Sequence, residues 1–218
     1  MKNLIAKNKD YCIYRVGKEY LNELAKFVVK ENYKHHKACE TGENVSEEVK
    51  SIYEEELSLA KASQIYIVEN NNDQMIGCIR VTKWDKKSFL PIHKIFNINP
   101  LDYIEETKNT SFWHIGRFAI DSYANISTIS LFKILMMYAI YPIYQEQDGY
   151  MIAEVDSKLL RVINLLGMDT VRLSDGIHYL GSETIPVYAG KEGLSKFYHS
   201  YLSEIVIDEI IPTHEKAA

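Results

Sequence analysis

The stretch Phe112-Trp113-His114-Ile115-Gly116-Arg117-Phe118-Ala119-Ile120-Asp121 is the most informative in the chain. Its aromatic and β-branched content reads as a strand. Ser127 to about Tyr144 follows as a long apolar helix, and Tyr150–Val155 is a second strand. A strand, a helix and a strand in that order call for a right-handed crossover and a parallel pair. Alternation along the first strand places His114, Gly116 and Phe118 on one face, and Trp113, Ile115 and Arg117 on the other.

Gln64–Glu69 and Met75–Trp84 read as strands joined by the turn Asn70-Asn71-Asn72-Asp73, an antiparallel hairpin. Residues 18–34 carry Tyr20, Leu21, Leu24, Phe27 and Val28 at helical spacing. A second helix runs from a Ser46 cap to about Ala62, with Val49, Ile52, Tyr53, Leu57 and Ala60 on one side. Its Glu54-Glu55-Glu56 run reads as a solvated face. A loop over 85–109 holds a short helix near Ile92–Phe96. Beyond the second strand come a helix at Ser157–Leu166 closed by Gly167, strand-like segments at Thr170–Leu173 and Ile177–Tyr188, and a helix at Gly193–Leu202. The expected class is α/β (α+β): one domain over residues 1–207, a mixed sheet with helices on both faces, and a polar tail over 208–218.

The chain has 218 residues and a net charge of -5, which argues against a protein that coats nucleic acid. Cys12, Cys39 and Cys78 are odd in number and widely spaced, so neither a disulfide framework nor a zinc site is expected, and a reducing cytoplasmic setting is. His35-His36 point to different sides of a helix and do not make a metal site. No N-terminal signal peptide is evident. Ile126–Tyr144 is interrupted by Lys133 and Pro142 and reads as a buried helix, not an integral membrane segment. The 16 tyrosines, against 7 phenylalanines and 2 tryptophans, suggest a half-wet cleft or interface.

Three stretches carry a family resemblance. Gln74-Met75-Ile76-Gly77-Cys78-Ile79-Arg80-Val81-Thr82 resembles the second hairpin strand of GNAT-type N-acyltransferases. Trp113-His114-Ile115-Gly116-Arg117-Phe118 is similar to the W-E-x-S-R-F strand of acyl-homoserine-lactone (autoinducer) synthases and N-acyl-amino-acid synthases. Leu165-Leu166-Gly167-Met168, Gly176-Ile177-His178-Tyr179-Leu180-Gly181 and Pro186 resemble the ending of that fold, and Leu90-Pro91-Ile92 fits the loop of these synthases. The resemblance spans roughly residues 12–200 and implies a GNAT-like three-layer fold whose two central parallel strands splay apart.

Two departures stand out: His114 replaces the synthases' Glu, and Gly116 their Ser. In addition, Ser122-Tyr123-Ala124-Asn125-Ile126-Ser127 lacks the glycines with which acetyl-CoA enzymes cradle pyrophosphate. That favours a carrier-protein thioester over CoA.

The resemblance implies transfer of an acyl group from acyl carrier protein or acyl-CoA to the amine of a small acceptor, such as an amino acid. The rivals are an acetyl-CoA-dependent acetyltransferase and a non-catalytic acyl-binding member of the fold. His114 inherits the position of a general base; a histidine merely hydrogen-bonded in a strand is the alternative. Glu154 is placed to accept a proton or to pair with an arginine, and Tyr179 is the candidate acid for the departing thiol or a packed residue. Phe118, Ala119, Ile120, Tyr123 and Ser127 fall along the donor path, with backbone N–H groups near Phe118 or Ala119 as oxyanion donors. Arg80, Trp113 and Arg117 are candidate substrate contacts, the arginines either orienting an acceptor carboxylate or tying an acid such as Asp121 or Glu154. Met136-Met137 is core or the wall of an acyl pocket.

Overall fold

The computed structural model describes residues 1–36, 42–179 and 182–205. The strands are β1 (Lys2–Lys7), β2 (Tyr11–Val16), β3 (Ser63–Asn70), β4 (Met75–Trp84), β5 (Thr110–Ile120), β6 (Asp148–Asp156), β7 (Val171–Arg172), β8 (Ile177–Tyr179) and β9 (Ser182–Gly190). The helices are α1 (Leu21–His36), α2 (Gly42–Leu59), α3 (Pro91–Phe96), α4 (Thr128–Gln145), α5 (Ser157–Leu165) and α6 (Lys191–Tyr201). One sheet runs in the order β1-β2-β3-β4-β5-β6-β9-β7, with β8 also paired to β9. Among the described residues only β5 and β6 pair in parallel; the other ladders are antiparallel. The expected mixed sheet with an antiparallel N-terminal half is therefore present.

Two layers of helix cover the sheet. Leu21, Leu24, Val28 and Ile52 of α1 and α2 pack with Ile65, Ile67 and Cys78 on one face. On the other face α4 and α6 pack with Tyr66, Ile79, Trp113 and Met151. α4 is buried almost throughout, from Leu131 to Tyr141, because the sheet takes one side and α6 another. That double cover is why its sequence is apolar all round. Among the described residues no helix is long and apolar enough to cross a membrane. Leu135 is fully buried against β4. Leu135→Ala is expected to lower the urea-unfolding free energy by about 2–5 kcal/mol through the cavity it leaves, and a loss within error would contradict this packing.

Several expectations are corrected. β1 and β2 were not anticipated; β2 pairs with β3 and β1 with β2, which extends the antiparallel half by two strands. Ser46 lies inside α2, which begins at Gly42, so it is not the helix cap. Leu57, expected on the buried side of α2, is exposed, whereas Glu56 is fully buried. Where one strand was expected over Ile177–Tyr188, β8 and β9 are separate strands paired antiparallel. Cys39 and the tail from Asp208 lie outside the described residues.

The largest correction lies in β5. Arg80 pairs with Gly116 but Cys78 with Ala119, so two residues of β5, Arg117 and Phe118, oppose Ile79 alone. This is a β-bulge, and Arg117 takes the left-handed backbone conformation at φ 55°. The extra residue reverses the alternation beyond it. Arg117 joins His114 on the α1/α2 face, and Phe118 turns to the α4 face, edge-on to Phe132 with centroids 5.2 Å apart.

Candidate active site at the divergence of two strands

The β5–β6 ladder runs from Thr110↔Asp148 to Ile115↔Ala153 and stops there. β5 continues to Ile120 and β6 to Asp156. The two strands therefore part after Ile115 and Ala153, as expected of a splayed pair. A cavity of about 200 Å³ opens at the gap. Its lining takes Arg80, His114 and Glu154 from one sheet face and Met136, Met151 and Met168 from the other, so it passes through the sheet. A wider cavity of about 640 Å³ adjoins it between the start of α4 and the start of α5, and shares Asn32, Phe118, Asp156, Leu159 and Ser182.

A buried polar network lies beside the gap. Arg80 and His114 are fully buried on neighbouring strands. Arg80 donates from Nε to Glu56 Oε1 at 3.1 Å and from NH1 to Thr82 Oγ1 at 2.5 Å. Its NH2 lies 3.0 Å from His114 Nδ1. His114 Nε2 lies 2.9 Å from Glu154 Oε2 and 3.2 Å from Oε1. Arg117 donates from Nε to Glu56 Oε1 at 2.7 Å and from NH2 to Glu55. Glu56 thus sits between two guanidinium groups, which is how α2 tolerates a buried carboxylate.

Gly116 makes one of these contacts feasible. A Cβ at this position would stand 2.6 Å from Arg80 NH2 and 3.2 Å from His114 Cε1. The guanidinium reaches His114 through space that only a glycine leaves open. The two departures from the synthase pattern, at 114 and 116, are thereby coupled.

Burial pushes the Glu56 carboxyl up, but Arg80 and Arg117 outweigh it and hold the group below its ordinary range. Glu154 shows the same balance: burial raises it, and the hydrogen bond from His114 with the nearby charges of Arg80 and Arg117 brings it below the ordinary carboxylate value. Depressed carboxyl groups contribute stability that is complete above the unfolded value and disappears as pH falls through the folded one. The urea midpoint is therefore expected to stay level down to about pH 4.5 and to fall steadily below it. A midpoint unchanged at pH 3 would contradict the network.

Of the anticipated site residues, Arg80, His114, Arg117, Phe118, Glu154 and Tyr179 all line the smaller cavity. Phe118, Ala119 and Ile120 line the wider one. Trp113 lines neither: it is buried on the α4 face, with the Lys83 ammonium 5.4 Å from its ring centre. Tyr123 is 80% exposed on the surface, under Lys34. Ser127 caps α4, its hydroxyl accepting from Ser130 N–H. The carboxylates that pair with the two arginines are Glu55 and Glu56, rather than Asp121 or a direct bond to Glu154. Lys94 is the remaining cation on the wall. Tyr179 is about one-third exposed, and burial raises the pKa of its phenol.

Glu55 and Glu56 are the members that sequence reasoning missed. The signal was present: Glu56 follows Ile52 by four residues and precedes Leu59 by three, all on the buried stripe of α2. Among the described residues no group of His, Cys, Asp and Glu is arranged to hold a metal ion.

No known sequence family and no curated protein matches this chain. Solved structures do. FeeM, an N-acyl amino acid synthase from uncultured soil microbes, superposes with a TM-score of 0.56 at 13% identity over 93% of this chain and 98% of its own. The AHL synthase LasI gives 0.53 at 15% identity, covering 87% and 94%. FdhC, a nucleotide-linked sugar GNAT, gives 0.53 at 12% identity, covering 94% and 99%. Taken with the splayed β5–β6 pair, these likenesses establish that the chain has the GNAT fold.

Proposed function

We propose that the protein is an N-acyltransferase, moving an acyl group from a thioester to the amine of a small acceptor. The observation that carries this reading is the parting of β5 and β6 into a cavity that joins a carboxylate, Glu154, and a phenol, Tyr179, to an apolar end at Met136 and Met151. A thioester laid in the gap would present its carbonyl to the edge of β5 that β6 leaves unpaired. Backbone N–H groups near Phe118 and Ala119 are the proposed oxyanion donors. The amine nitrogen bonds to the carbonyl carbon, the C–S bond breaks with its electron pair on sulfur, and Tyr179 protonates the thiolate.

The wider cavity supports a carrier-protein donor. It is lined by the carboxylates Glu31, Asp156 and Glu183 against one lysine, Lys158. That lining suits the polyanionic CoA poorly, and the loop from Ser122 to Ser127 has no glycine with which to wrap a pyrophosphate.

The smaller cavity also favours a second reading. An engineered apolar cavity of about 150 Å³ holds a benzene ring, so 200 Å³ suits a short or medium acyl group, acetyl included. Incubation with acyl-carrier-protein and acyl-CoA donors of graded length, plus a panel of amines, decides between them by mass spectrometry. An amide product with medium chains on carrier protein is the expected result. Exclusive use of acetyl-CoA would select the acetyltransferase, and no product with any donor would overturn both. Met136→Trp, which fills the apolar end, is expected to abolish the longest accepted chain and spare shorter ones. Unchanged chain preference would place the acyl group elsewhere.

A further inference from the structure

Given acyl transfer, we infer that Glu154 takes the acceptor's proton, and that His114 is a positioning residue held as its neutral Nε2–H tautomer by Arg80. A guanidinium has donors and no acceptor. With Arg80 NH2 at 3.0 Å, His114 Nδ1 must therefore accept, and carries no proton. The ring proton is then on Nε2, which donates to Glu154 at 2.9 Å. Both ring nitrogens are engaged and the ring is fully buried, so His114 turns no lone pair to the cavity. To become a base it would have to break from Arg80 and stand as a second cation beside it.

Glu154 is differently placed. The cavity wall holds three carboxylates, Glu55, Glu154 and Asp156. Glu55 is paired with Arg117, and Asp156 accepts the N–H groups of Lys158 and Leu159 at the start of α5. Glu154 has His114 as its sole hydrogen-bonded partner among the described residues, leaving lone pairs on both oxygens for an ammonium or amine. The other ionised groups of the cluster, Arg80 and Arg117 against Glu55 and Glu56, balance in charge.

As the C–N bond forms, one N–H proton passes to a Glu154 oxygen and later leaves to solvent, which also restores the Tyr179 proton given to the thiolate. His114 contributes by fixing the carboxylate in place, and Gly116 by admitting the guanidinium that fixes His114. This role falls to β6, whereas the synthases that the chain resembles carry a Glu in the W-E-x-S-R-F strand.

Two measurements on the whole protein test the assignment. In ¹⁵N–¹H correlation spectra at neutral pH, His114 should carry a proton on Nε2 and none on Nδ1. A proton on Nδ1 overturns the tautomer lock. With a productive donor and acceptor, Glu154→Gln should lower kcat by at least about a hundredfold, the loss typical of a missing proton acceptor. His114→Gln, whose amide N–H can replace Nε2–H toward Glu154, should retain activity within about tenfold of wild type and the wild-type pH profile. Equal inactivation by His114→Gln and Glu154→Gln, with both folded by circular dichroism, would make His114 the base and overturn the inference. If Glu154→Gln does not fold, Glu154→Asp serves: kcat should fall without a change in acceptor KM, and an unaltered kcat counts against the assignment. A wild type that forms no amide overturns the acyl-transfer reading and the base role together, while the tautomer result stands apart from both.

Discussion

Glu56→Ala is expected to be the most damaging single substitution in the polar network, lowering the unfolding free energy by about 3–5 kcal/mol. Glu56 is fully buried and accepts from Arg80 and Arg117 on two different strand positions. Removing it leaves two guanidinium groups out of water with their shared counter-charge gone. The loss is that of stranding charges, much larger than the net worth of the ion pairs. A cavity in place of the carboxylate adds to it. Glu56→Gln keeps the shape and one acceptor oxygen but not the charge, and should fall between wild type and Ala. Urea titration at neutral pH is the measurement. A loss below about 1 kcal/mol for the alanine variant would show that water reaches the arginines freely.

Gly116→Ser, which installs the residue of the similar synthases, is expected to inactivate this chain rather than improve it. The added Cβ would meet Arg80 NH2 at 2.6 Å. Arg80 is fully buried and anchored at the same time to Glu56 and Thr82, so it has little room to retreat. Overpacking of this kind costs about 1–3 kcal/mol. The larger consequence is at His114. With the guanidinium displaced, Nδ1 loses its donor, the tautomer is no longer set, and Glu154 loses its fixed partner. A fall of at least about a hundredfold in kcat, with a melting temperature lowered by about 2–12 °C, is the expected pattern. Wild-type kcat in a folded Gly116→Ser protein would detach Gly116 from the chemistry.

Much of the frame was legible in the chain because its signals are local. The β3–β4 hairpin announces itself by two β-rich runs around Asn70–Asp73, and α4 by an apolar run too long for a strand. β1 was not legible: Lys2 and Lys7 bound it, only Ile5 is buried, and what holds it is pairing with β2. Such an edge strand has no periodic signature of its own.

In the candidate site, His114 and Arg80 were singled out because they lie in the stretches that carry the family resemblance, and Glu154 because it is a carboxylate on the second central strand. Their wiring was not legible, since hydrogen bonds between strands and from α2 depend on register. Arg117 shows the limit most clearly. Nothing in Ile115-Gly116-Arg117-Phe118 marks a left-handed backbone at a charged residue, yet that conformation brings Arg117 to Glu55 and Glu56. Tyrosine number was a poor guide to the site. Tyr66 and Tyr138 stack in the core at 5.0 Å, Tyr123 lies outside, and Tyr179 is the tyrosine lining the smaller cavity.

The bulge also bears on how this chain can be compared with distant relatives. Before Arg117 the even-numbered residues of β5 look toward α1 and α2; after it the odd-numbered ones do. Position in the strand therefore has a parity that flips once, at a single residue. An alignment that slips by one place here still matches hydrophobic to hydrophobic and scores almost as well, while exchanging lining residues for core residues over the whole gap. Transfer of residue roles onto this strand should be anchored on the positive φ at Arg117, a geometric landmark, and counted outward from it in both directions.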